Sequence, residues 1–136
     1  MNFFEEILHE HLTADLKLFV KPNLVVERNE SGKPWGAQID LVALDPAKKT
    51  LYLVEVTGLR GVQKYFNDKL HPDARKTIEA WALKDLNLGG LGLRIQWLLF
   101  VRRPYVDKTK DLPTIKKMIA EGICDVRPLE QLLEAR

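Results

Sequence analysis

Residues 37–57, AQIDLVALDPAKKTLYLVEVT, decide the fold. The runs 37–45 and 50–57 are rich in Ile, Val, Leu and Tyr and have strand length, and the polar PAKK between them (46–49) suits the turn of an antiparallel hairpin. Each run also carries one acid inside an apolar setting, Asp40 in the first and Glu55 in the second. Burying an unpaired carboxylate costs several kcal/mol, so each is expected to have a cation, a proton or a metal beside it.

Successive strand residues point to opposite faces. Gln38, Asp40, Val42 and Leu44 therefore share one side of their strand, opposed to Ile39, Leu41 and Ala43. In the second strand Leu51, Leu53, Glu55 and Thr57 share a side, opposed to Tyr52, Val54 and Val56. With the turn at 46–49, Asp40 and Glu55 fall at the same far end of the hairpin. Two carboxylates that close repel unless a cation separates them, and hard oxygen donors suit a divalent metal, Mg²⁺ or Mn²⁺.

Working outward, Phe4, Leu8, Leu12 and Leu16 recur at helical spacing and predict an amphipathic helix over about the first eighteen residues. NLVVER (23–28) reads as a short strand and NESGKPWG (29–36) as a turn-rich link. After Gly58 a polar, basic stretch runs to His71. Pro72 then opens a helix through DARKTIEAWALKDLNL (73–88), which Gly89 and Gly90 are expected to stop. RIQWLLFVRR (94–103) is a strand apolar on both faces and so central, adjacent to 50–57. TIKKMIAEG, ICDVR and PLEQLLEA close the chain as helix, strand and helix. The expected architecture is a single α/β domain over 1–136, a mixed sheet flanked by helices in the order α-β-β-β-α-β-α-β-α.

A chain of 136 residues with 46% apolar and 29% charged residues is long enough and apolar enough for a core without disulfides. No apolar run approaches a membrane span, and MNFFEEI carries acids where a signal peptide needs basic residues, so a cytoplasmic protein with no membrane partner is expected. The single Cys124 forms no internal disulfide and cannot build a cysteine-rich zinc site. A net charge of +2 does not by itself announce a nucleic-acid binder. The local run Arg102, Arg103, Lys108 and Lys110 is suited to phosphate, or else is the wet end of a strand. His9, His11 and His71 lack ligand spacing, and Trp35, Trp81 and Trp97 read as packing residues.

Asp40 in AQIDLVAL and Glu55 in LYLVEVT, in a helix-strand-strand-strand-helix-strand order, resemble the core of the PD-(D/E)XK nuclease superfamily, which includes restriction endonucleases and archaeal-type Holliday-junction resolvases. The likeness covers residues 1–103. It implies a restriction endonuclease-like core and a metal-dependent nuclease acting on DNA, with Asp40, Glu55 and the Val56 carbonyl binding Mg²⁺ or Mn²⁺ and Glu5 adding a ligand from the first helix. The superfamily's lysine stands two residues after the glutamate, where this chain has Thr57. The resemblance then implies that Lys64 or Lys69 takes over that catalytic role, with Arg60, Gln63, Arg102 and Arg103 gripping nucleic acid. It leaves room for a homodimer on duplex substrate. Thr57 also supports the alternative of an inactive nuclease-fold module for nucleic-acid binding or assembly, and a third reading pairs the acids with core cations and needs no metal.

Overall fold

The computed structural model describes residues 6, 12, 13, 19–28, 34–57 and 70–134; for 19–28, 34–38, 57, 133 and 134 it describes the secondary structure but not the side chains. Five strands are present: β1 (Phe19–Arg28), β2 (Pro34–Asp45), β3 (Thr50–Thr57), β4 (Arg94–Val101) and β5 (Cys124–Pro128). The helices among the described residues are α1 (Pro72–Asp85), α2 (Val106–Lys110), α3 (Pro113–Ala120) and α4 (Gln131–Glu134), with a 3₁₀ turn at Arg103–Tyr105. The expected first helix lies almost wholly outside the described residues.

The strands form one sheet in the order β1-β2-β3-β4-β5. β1, β2 and β3 run antiparallel, whereas β3–β4 and β4–β5 are parallel, so the sheet is mixed and the α/β class holds. β3 and β4 are interior neighbours, as their apolar faces require, and α1 lies in the crossover between them. All eight residues of β3 are in register with β4, from Thr50↔Arg94 to Thr57↔Val101.

Several boundaries depart from the sequence reading. β1 starts at Phe19 and β2 at Pro34, so Pro34–Gly36 belong to a strand rather than to the link. Proline is tolerated there because it occupies the first strand position, next to a register irregularity between Val26 and Arg28. α1 stops at Asp85, before the glycine pair. Asn87 takes a left-handed φ of 56° and donates its N–H to Lys84 O, an ending that asparagine supplies as well as glycine. The segment 103–110 is helical where no element was expected. The final helix starts at Gln131 rather than at Pro128.

Two cores sandwich the sheet. On one face Val42, Leu51, Leu53, Trp97, Leu99 and Val126 meet Ile78 and Ala82 of α1 and Ile115 and Met118 of α3. On the other, Leu41, Ala43, Val54, Val56, Leu98 and Phe100 meet Leu12, Leu129 and Leu132. Trp97 is fully buried, and its indole N–H donates to Glu79 Oε2 at 3.0 Å, which ties α1 to β4. Arg75 Nε stands 3.8 Å from the same oxygen.

Cys124 is buried at the start of β5. Burial pushes its thiol up from 9.0 to about 12, Asp125 adds to the rise, and Arg75 opposes it. The raised value means that the native thiol contributes stability below pH 9 and loses that contribution as pH climbs from 9 toward 12. Cys124 in the folded protein is therefore expected to resist a thiol-reactive disulfide reagent at neutral pH and to react fully after denaturation. Rapid labelling of the native chain would contradict this placement.

Candidate carboxylate site

The geometry of the hairpin follows from its register. The β2–β3 pairs run from Asp45↔Thr50 to Leu41↔Val54, and one further step would bring Asp40 opposite Glu55. Directly opposed residues lie on one face. The flanking pair Val42↔Leu53 belongs to the helix-covered core, which assigns Asp40 and Glu55 to that face by alternation.

Strict alternation lapses at this point. Ile39 was expected with Leu41 and Ala43, yet it packs in the same core as Val42, three residues on. β2 keeps a single register with β1 through Ile39, whereas its registered pairing with β3 ends at Leu41. The Val56 N–H donates to Asp40 Oδ2 at 2.8 Å. A side-chain carboxylate has taken the place of a strand carbonyl, and the charged acceptor makes this a stronger bond than a neutral one. Asp40 Oδ1 has no protein partner among the described residues.

Glu55 is 1% exposed, beside Leu99 in the β3–β4 register. It does not stand alone, because its side chain or backbone has a polar partner. Val56 is buried, and its N–H faces β2. A strand residue projects N–H and C=O toward the same neighbour, so the Val56 carbonyl projects toward β2 as well. The Asp40 carboxylate meets the Val56 peptide at the carboxyl-terminal end of β3, next in sequence to Glu55, and the oxygens of these residues are hard donors of the kind that suit Mg²⁺ or Mn²⁺ rather than softer metals. Among the described residues no group of three His, Cys, Asp or Glu side chains assembles as a metal centre.

The remaining sequence-derived residues divide into two groups. Glu5, Arg60, Gln63, Lys64 and Lys69 lie outside the described residues. Glu6 is exposed. Thr57 ends β3 in register with Val101. Arg102 and Arg103 follow Val101 directly, so they leave the sheet at the same end as Glu55, and both are exposed. The Arg103 N–H donates to both Glu130 carboxylate oxygens, at 3.0 and 3.1 Å, which pins the exit of β4 to the segment after β5. The sequence reading missed the Asp40 to Val56 contact, and only the position of an acid at the open end of a hairpin hinted at it.

No protein family, curated protein or solved structure matches this chain. No helix among the described residues is long and apolar enough to cross a membrane.

Replacing Asp40 separates its two roles. Asp40→Ala leaves the Val56 N–H without an acceptor, a loss of about 1–3 kcal/mol, whereas Asp40→Asn keeps an acceptor oxygen and loses only the charge. Amide exchange at Val56 is expected to accelerate strongly in Asp40→Ala and little in Asp40→Asn. Equal protection in the wild type and Asp40→Ala would contradict the contact.

Proposed function

We propose that the chain is a metal-dependent nuclease of the PD-(D/E)XK type that hydrolyses phosphodiester bonds in DNA. The observation that carries this reading is the Val56 N–H to Asp40 Oδ2 bond, beside a buried Glu55 one register step past the last hairpin pair. A three-stranded antiparallel unit followed by a helical crossover to a parallel strand supports it further. So does the position of the acids, since open α/β sheets bind ligands at the carboxyl ends of their strands.

In this reading Asp40, Glu55 and the Val56 carbonyl hold Mg²⁺ or Mn²⁺, with Glu5 as a further ligand. The cation supplies an activated water and neutralises charge on the phosphate. The chain's own groups do the rest. Val56 N–H fixes the Asp40 carboxylate, so little reorganisation is needed when an ion arrives. Lys64 or Lys69 orients the water and stabilises the charge that develops on the phosphoryl oxygens, a task for an ammonium that Thr57 cannot perform as a neutral hydroxyl. Arg60, Gln63, Arg102 and Arg103 grip the phosphates on either side. The alternative is a nuclease-fold module that binds or assembles without cutting, and Thr57 at the lysine position is the feature that favours it.

Supercoiled plasmid separates the two. With Mn²⁺ or Mg²⁺ the wild type is expected to nick it, and Lys64→Met or Lys69→Met to slow nicking by orders of magnitude while metal affinity, read by calorimetry, is retained. Metal binding without nicking, restored by Thr57→Lys, would establish the inactive module instead. Unchanged metal affinity in both Asp40→Asn and Glu55→Gln would overturn the site.

A further inference from the structure

The opposite face of the sheet carries a second feature that the carboxylate site does not use. Lys48, Thr50, Tyr52, Arg94, Gln96, Leu98, Asp125 and Arg127 line an open groove of about 540 Å³. Its strand residues are the alternate positions of three adjacent strands, in the register Thr50↔Arg94, Tyr52↔Gln96, Val54↔Leu98 and Leu98↔Asp125. They share the face of Val54 and Leu98, away from α1 and α3. Tyr52 stands three residues before Glu55, about 10 Å along the strand and on the other side of the sheet.

Three cations meet one acid on the rim. Arg94 Nη2 donates to Gln96 Oε1 at 3.1 Å and to Gly122 O at 3.4 Å, which holds the guanidinium while its other N–H groups have no protein partner among the described residues. Arg127 Nε donates to Asp125 Oδ2 at 2.7 Å. Lys48 is exposed, and no protein group pairs with its ammonium among the described residues. Half-buried Tyr52, with Leu98, supplies an aromatic and aliphatic floor between the charged ends.

We infer that this groove binds one unpaired nucleic-acid strand, with its phosphates on Lys48, Arg94 and Arg127 and a base against Tyr52. Arg94 opens β4, whereas Arg127 is registered with Phe100, six residues on, so their backbones are about 20 Å apart along the sheet. Their side chains lean toward each other, Arg94 to Gln96 and Arg127 back to Asp125, and with Lys48 they face one groove whose Tyr52 floor suits a polyanion that carries bases better than a lone phosphate. A tyrosine on the floor of a sheet, flanked by arginines, is the stacking platform used by single-strand binders, because an unpaired base offers its face and a paired one does not. The inference is independent of the metal site: it holds whether or not Asp40 and Glu55 bind an ion.

Fluorescence anisotropy of a short labelled oligothymidylate, titrated with the full chain in EDTA, tests it. Wild type is expected to bind with an affinity that falls steeply with salt, and the double variant Arg94→Ala, Arg127→Ala to lose about tenfold or more. Tyr52→Ala is expected to weaken binding with little change in the salt slope, since stacking releases no counterions. Asp125→Asn is expected to tighten it. All substituted groove positions are exposed or half-buried, and unaltered melting temperatures identify variants that remain folded. No binding by the wild type at low salt, or equal binding by the double arginine variant, would overturn the inference. So would tighter binding of the same sequence as a duplex, or competition by polyglutamate as effective as that by unlabelled oligothymidylate.

Discussion

The hydrogen bond from Val56 N–H to Asp40 Oδ2 is the constraint on which the open end of the hairpin depends. As far as Leu41↔Val54 the two strands of the hairpin are in regular register. Beyond that pair the registered β2–β3 pairing ends, and a buried strand would lose the partner of an N–H group, an expensive omission in a protein interior. The Asp40 carboxylate replaces the missing strand acceptor. By doing so it is fixed beside β3, next to the segment that carries Glu55, and the polar groups at this end of the hairpin are held together by the backbone itself.

The parallel β3–β4 pair makes that arrangement affordable. Leu51, Leu53, Val54, Leu98 and Leu99 bury the middle of the sheet on both faces, and α1 and α3 close one side over Trp97. Polar chemistry is displaced to the two ends of the strands. Near the carboxyl end of β3 lie buried Glu55 and half-buried Asp40. On the other face it is basic and open, where a groove runs from Arg94 at the amino end of β4 past Tyr52 to Arg127 near the carboxyl end of β5. The same strands thus place carboxylates on one face and guanidinium groups on the other.

Much of this was legible in the residues. The 50–57 strand, its turn at 46–49 and its interior place beside 94–101 all followed from apolar patterning and the helical crossover. Alternation also assigned Asp40 and Glu55 to the face of Val42 and Leu53. It failed at Ile39, which packs in the core of Val42 although β2 keeps its register with β1 there. Helix α1 ended early because Asn87 adopts the left-handed conformation that the reading reserved for glycine. The groove escaped notice because its residues come from three strands and the turn before one of them. The signal was present in RIQW, where Arg94 and Gln96 alternate with Ile95 and Trp97, but only the register aligns them with Tyr52 and Arg127.

Anomalous diffraction from crystals soaked in Mn²⁺ tests the central claim most directly. The account predicts one strong peak in contact with the Asp40 carboxylate, the Glu55 carboxylate and the Val56 carbonyl, abolished by Asp40→Asn under the same soak. An Asp40 and Glu55 site without manganese, with the Glu55 carboxylate closed in an ion pair to a lysine or arginine, would contradict it.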